Sequence, residues 1–384
     1  MRKLLFSLLL AFVLLLGCAS SSENKELQQK QGNGVRIWVD GPARVAHLTS
    51  GPTIAYELYL NDYRAQGLEL QRIDVIDNET GQLLKSYNGT ELEISMLTPK
   101  NGTGNSALYA WIQVNGSQKS ISHRAYFSGG DSGNEIEIDG APLAVKDIPV
   151  IIAPPLRGKN WISIAGPSNS AITGIHRRAI FKRKDMHYVS QRYAIDWSQE
   201  GESGMIYNYS YARNEDFYAY GQDVLAVADG TVADVKDGAP DNIPLQKPAL
   251  QEQDLGGNTI MLDIGGGNYA FYAHLMPGSI HVKQGDRVKR GDVIGKIGNS
   301  GNTLGPHLHF QIDSGSDFIY SDGIPYEFES FGLQDHAFNW MDAAVRNYSW
   351  KWDGSDEMRT MQMPADGDVV DFDLTAPGKG NVTD

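Results

Sequence analysis

Between Val35 and about Val150 the chain is a succession of short β-prone runs cut by turn-forming residues. "VRIWVD", "TIAYELYL", "QRIDVIDNETGQLLKSY" and "ALYAWIQV" are separated by clusters of Gly, Asn, Asp and Pro. Branched and aromatic side chains fit a pleated, half-buried surface, and the clusters between them favour reversal of the chain. Asp77-Asn78-Glu79-Thr80-Gly81 predicts a hairpin turn. The spacing of runs and turns predicts an all-β, sandwich-like domain over residues 35–150. The 384 residues leave room for a second domain, and the 41% hydrophobic content with 42 glycines fits a folded, turn-rich chain.

The Pro-rich junction "PVIIAPPLRGKN" (149–160) marks the boundary, and the signals beyond it, over 151–346, are again β. "HRRAIFKRKDMHYVSQRYAIDW" reads as a hairpin around Lys182-Arg183-Lys184-Asp185. "VLAVADGTVADVKDG", "NTIMLDIGGGNYAFYAHL" and "DRVKRGDVIGKIGNSG" follow it, and residues 237–257 form a longer loop suited to the rim of a groove. Residues 347–384 read as an acidic, weakly ordered tail.

The chain opens "MRKLLFSLLLAFVLLLGC": two cations, an apolar run, then Gly17-Cys18. That pattern predicts an export signal over residues 1–17, too short for a comfortable membrane span. Its end resembles the lipobox of bacterial lipoproteins, which implies cleavage before a diacylated Cys18 and a membrane anchor made of acyl chains. Cys18 is the only cysteine, so no internal disulfide can form. Residues 18–34 are polar beyond the cysteine and read as a flexible tether. Residue 19 is Ala rather than Asp, which favours the outer membrane in a host with two membranes. The formal charge of −14 becomes two units more negative once Arg2 and Lys3 are removed, a balance ill suited to nucleic acid. Nothing in the sequence fixes an oligomeric state.

Three histidines are candidates for chemistry. His307 and His309 lie in "GPHLHFQI" (305–312), where positions i and i+2 of a strand share a face, and His274 ends the run "FYAHL". Imidazole binds zinc and titrates near neutrality, so such a pair suits a metal or an acid–base site. Taken alone the pair is equally compatible with two surface histidines. There is no H-E-x-x-H and no G-x-S-x-G, and the one cysteine is the expected acyl anchor. Asp196, between Ile195 and Trp197 in "QRYAIDW", is a carboxylate in an apolar run and requires a cation or donor as partner.

"DVLAVADGTV" (223–232), "GGGNYAFYAHL" (265–275), "VKQGDRVKRGDVIGKIGNSGNTLGPHLHFQI" (282–312) and the Asp of "YAIDW" occur in the order seen in lysostaphin-type (LytM-like) zinc endopeptidases. The resemblance covers roughly residues 156–330. It implies an antiparallel β sheet lining an open groove, with Asp196 and His309 as zinc ligands and His274 and His307 as the catalytic histidines. It also implies hydrolysis of the peptide cross-links of peptidoglycan.

The departure is Arg192. The family's first motif is His-x-x-x-Asp, and four residues before Asp196 stands a guanidinium, which has no lone pair for a metal. In one reading another histidine supplies the ligand: a hairpin centred on Lys184 would set His176 opposite Arg192, with His187 as the competitor. Arg192 would then orient Asp196 or meet the substrate's carboxylates, or simply face solvent. In the other reading no histidine replaces it and Arg192 pairs with Asp196. The chain would then be a metal-free scaffold that binds peptidoglycan or activates a cell-wall amidase. A cell-wall-binding lipoprotein with neither activity is a third class. The survival of Asp196, His274, His307 and His309 together favours the enzyme.

Overall fold

Asp77 makes the first expected turn. Its Oδ1 accepts the N–H groups of Glu79 (2.8 Å) and Thr80 (3.0 Å), and Gly81, at φ 71°, returns the chain. The flanking strands, Leu68–Asp77 and Leu83–Asn88, pair antiparallel as the sequence predicts. They belong to a computed structural model that describes residues 34–98, 104–129, 135–170, 174–208, 210–246, 248–336 and 356–373. The expected export signal, Cys18, all but the last residue of the expected tether, and residues 374–384 lie outside the described residues.

The chain divides into two compact units. The first takes in the described residues up to Pro42, with Glu57–Ala110 and Gln118–Val145. Leu68–Asp77 pairs on its other edge with Ser120–Gly129, which in turn takes Ile136–Asp139. Ile73, Val75, Tyr87, Leu108, Ile121 and Phe127 are among its fully buried side chains. His123 is buried here, and burial pushes its imidazole down to about 3, so it is a neutral core residue.

The second unit holds Ala43–Tyr56, Trp111–Ser117 and everything described from Lys146 onward. The two early segments cluster with it although they stand before residue 150: Ala46, Leu48 and Ala55 are buried in the same core as Trp161, Tyr193 and Phe310. One sheet organises the unit. Its strand order is Val150–Ile152, Tyr326–His336, Asp368–Asp371, Trp161–Ile164, Ile195–Gln199, Leu308–Asp313, Asn268–Leu275, Asn258–Gly265, Gly230–Lys236, Arg287–Val288. The pairing of Val150–Ile152 with Tyr326–His336 is parallel, a departure from the all-antiparallel sheet expected. Trp161, Trp197, Tyr272, Phe310 and Phe328 fill the space under the sheet, each contributing about 1.5–3 kcal/mol by burial.

Two expectations need correction. Residues 356–373 do not behave as a solvated tail: Glu357–Gln362 and Asp368–Asp371 both pair with Tyr326–His336, and Met363, Val369 and Val370 are fully buried. Asp368 and Asp371 are themselves buried beside the apolar residues of that core. The hairpin around Lys184 exists but is short, with Lys182 opposite His187, and it ends at Phe181 opposite Tyr188. The register is one residue away from the one expected. His176 and Arg192 are therefore not strand partners; they stand in two 3-10 turns, His176–Arg178 and Ser190–Tyr193.

Candidate metal centre

Three neighbouring strands build the site. In Ile195–Gln199 the side chains of Ile195 and Trp197 enter the core, so alternation turns Asp196 to the opposite face. Asp196 is directly across from His309, and His309 is directly across from Ala273 on the next strand. His307 precedes His309 by two and shares its face, while His274 ends its strand one residue beyond Ala273. His274 adopts φ 64°, a left-handed backbone conformation that costs a non-glycine residue on the order of 1–3 kcal/mol. Its N–H donates to the Gly256 carbonyl (2.9 Å), and Gly298 N–H donates to its own carbonyl (3.1 Å). The glycine punctuation of 295–305 belongs to this approach. Gly301 sits at φ 80°, and a Cβ there would lie 2.4 Å from Gly257 N.

The result is one carboxylate among four imidazoles. Asp196 Oδ1 lies 2.8 Å from His309 Nδ1 and 3.4 Å from His307 Nε2, and Oδ2 lies 3.3 Å from His176 Nε2. The rings of His176 and His309 have centroids 4.9 Å apart, and those of His274 and His307 4.8 Å. Ligand atoms of His176, Asp196 and His309 all fall within 4.8 Å of one another. His187 belongs to the hairpin, opposite Lys182.

The outward nitrogens decide what the inward ones can do. Gln311 Nε2 donates to both oxygens of Asp313 (2.8 and 2.7 Å), which turns Gln311 Oε1 toward His309 Nε2 at 2.8 Å. That nitrogen must therefore carry the proton, leaving Nδ1 as a lone pair on Asp196 in the neutral ring. His307 Nδ1 donates to the Gly305 carbonyl and His274 Nδ1 to the Ser300 carbonyl, both at 2.8 Å. Their Nε2 atoms are left on the pocket side, and that of His307 is buried without a well-formed hydrogen bond. Neutral imidazoles would thus turn lone pairs on a carboxylate, an arrangement that calls for a cation.

The electrostatics show the same demand for positive charge beside Asp196, met here by the two histidines whose charged forms it favours. Burial works against the Asp196 carboxylate, yet His176 and His307 outweigh it and hold its pKa well below the usual range. Burial also disfavours the charged forms of His176 and His307, but Asp196 more than compensates and raises both. His274 is driven well below its ordinary value by burial and by His307 and His309. Asp313, fully buried, is pushed well above the carboxylate range by burial.

Arg192 takes a place the sequence did not predict. Its guanidinium donates to Asp322 Oδ1 (3.3 Å) and to the Gly323 carbonyl (3.4 Å). The partners of Asp196 are the three histidines, not the Arg192 that the metal-free reading would pair with it. Gln311 and Asp313 went unnoticed in the sequence, although the alternation that groups His307 with His309 extends to both. The cavity before the site is about 250 Å³ and is walled by Ile175, Leu255, Phe271 and Phe318, with Gln191 and Asn302 as polar members. Phe271 and Phe318 stack with centroids 4.8 Å apart. The 237–257 loop supplies Leu255 and Gly256 to this wall, as a groove rim should.

Residues 213–320 match the sequence model of Peptidase family M23. The chain is 40% identical over 74 residues to glycyl-glycine endopeptidase ALE-1 of Staphylococcus capitis, covering 18% of this chain and 20% of that protein. It is 41% identical over 56 residues to the peptidoglycan DD-endopeptidase ShyA of Vibrio cholerae, covering 15% and 13%. The chain thus spans a fifth or less of the length of these relatives. Among solved structures it aligns with the catalytic domain of the antimicrobial peptidase lysostaphin from Staphylococcus simulans. The identity is 25%, 31% of this chain and 84% of the other are covered, and the TM-score of 0.20 is too low to bear on the fold. The family match begins after His176 and Asp196, so those two positions rest on geometry. On that match, the chain carries a domain similar to Peptidase family M23, spanning the part of the site that holds His274, His307 and His309.

Proposed function

We propose that the chain is a zinc-dependent endopeptidase acting on the peptide cross-links of peptidoglycan. The observation that carries the reading is the convergence of His176, His309 and Asp196, with the lone pair of His309 turned inward by its outward hydrogen bond to Gln311. Two imidazoles and a carboxylate form a donor set suited to zinc, and His176 stands where the family's missing first histidine would be needed. Zinc held there supplies Lewis acidity, polarising a scissile carbonyl and making a bound water acidic near neutrality.

His274 and His307 do the proton work. Each has its Nδ1–H committed to a backbone carbonyl, so each offers Nε2 to the pocket. One receives the proton of the attacking water, and the pair returns it to the departing amine as the amide C–N bond breaks. The protonated ring also donates to the oxyanion as the tetrahedral carbon forms. The products are a carboxylate and a free amine. Peptidoglycan as substrate is supported by the relatives, ALE-1 and ShyA, whose names specify glycyl-glycine and peptidoglycan cleavage. The leader residues support work at the cell envelope, with acylated Cys18 as the anchor.

Digestion of purified sacculi tests the proposal. Release of shortened muropeptides that stops with EDTA and returns with zinc is the expected result. Metal-free protein that releases nothing, but stimulates a separate amidase, would replace the enzyme with the scaffold.

A further inference from the structure

His176 and Asp196 reach the site through two short turns, and both turns are tied to one strand pair. His176 stands in the 3-10 turn His176–Arg178, and Asp196 follows the 3-10 turn Ser190–Tyr193. Single turns of this length have little stability of their own, so packing must fix them. In the first turn the anchor is Arg177, only 2% exposed. Its Nη1 donates to Asn169 Oδ1 (3.0 Å) and its Nη2 to the Tyr56 carbonyl (3.2 Å), and the guanidinium lies 5.5 Å from the ring centroid of Trp111. In the second turn the anchor is Tyr193, 1% exposed, whose hydroxyl is shared between the carbonyls of Ala55 (3.3 Å) and Arg44 (3.5 Å). Arg44 and Ala55 are opposite each other in the pair formed by Ala43–Leu48 and Gly51–Leu60.

We propose that Arg177 and Tyr193 are positioning residues for the metal centre, and that the strand pair around Arg44, Ala55 and Tyr56 is the template that sets His176 against Asp196. The proposal rests on the zinc reading above. Asp196 and His309 are held in register by the sheet itself, whereas His176 has no ladder to hold it. A ligand borne on an isolated turn is only as well placed as the residue that anchors the turn. Arginine suits that task because its planar fork reaches two acceptors at once while its face covers an aromatic ring. The segment that makes the family's first histidine dispensable therefore lies more than a hundred residues upstream, outside the stretch matched to the family.

The test is the zinc affinity of the full chain, measured by competition with a chromophoric chelator, with circular dichroism as the check of folding. Arg177→Gln is expected to weaken zinc binding roughly tenfold to a hundredfold. In a His176→Ala background the same change is expected to have no further effect, because the ligand it positions is already gone. Tyr193→Phe, which removes a single oxygen, is expected to weaken binding less, and it carries the test if Arg177→Gln does not fold. Undiminished zinc affinity in Arg177→Gln and Tyr193→Phe would overturn the proposal, as would an equal further loss in the His176→Ala background. An unaltered chain that binds no zinc would remove the metal reading and this proposal together. Variants that match a zinc-binding unaltered chain would remove this proposal alone.

Discussion

His309 faces Asp196 across neighbouring strands, Nδ1 to Oδ1 at 2.8 Å, while its other nitrogen meets Gln311. That pairing fixes which nitrogen is offered to a metal, and the first prediction follows from it. Gln311→Leu removes the acceptor that holds the proton on Nε2, so zinc affinity should fall roughly tenfold to a hundredfold. Gln311→Glu keeps an oxygen in place and should retain most of it. Chelator competition on both variants measures the difference; equal affinities in all three proteins would contradict the role of Gln311.

Gly323 permits the turn before Asp196. A Cβ at this position would lie 2.3 Å from the Ser190 carbonyl oxygen and 3.0 Å from Arg192 N. Backbone on both sides leaves no flexible atom to yield, so Gly323→Ala should cost about 1–3 kcal/mol in a denaturant melt.

Glu200 gives a pH dependence. It is 6% exposed, and burial together with the nearby Asp335 charge pushes its carboxyl up to about 7 from a usual 4.5. The folded state therefore keeps a proton that the unfolded chain has already lost between those values. The stability present below about pH 4.5 is lost as pH rises through about 7, by up to about 3 kcal/mol. Glu200→Gln should accordingly be more stable than the unaltered chain near pH 8 and nearly equal to it near pH 4.5 in urea melts. The opposite order would place the carboxylate beside a cation instead.

That His307 and His309 share a face was legible in the sequence because period-2 alternation fixes it, whereas Asp196 was joined to His309 only through the family resemblance, and the register that sets them opposite each other has no local sign. His176 was singled out for a cross-strand pairing with Arg192 that does not occur: the hairpin stops at Phe181 and Tyr188, and Arg177 brings the histidine in from a turn. Side-chain anchoring to a carbonyl as distant as that of Tyr56 has no local signature. The same non-locality hid the strands at 357–362 and 368–371, whose acidic residues suggested solvent. Arg192 was read as the break in the motif, and Asp322, to which it donates, lies 130 residues away.

Zinc content on purification tests the central claim most directly. The unaltered chain should carry about one zinc per molecule by elemental analysis, and folded His176→Ala should lose most of it on dialysis against a mild chelator. Full zinc retention in His176→Ala, or an unaltered chain that takes up none, would contradict the assignment of His176, Asp196 and His309 as the metal site.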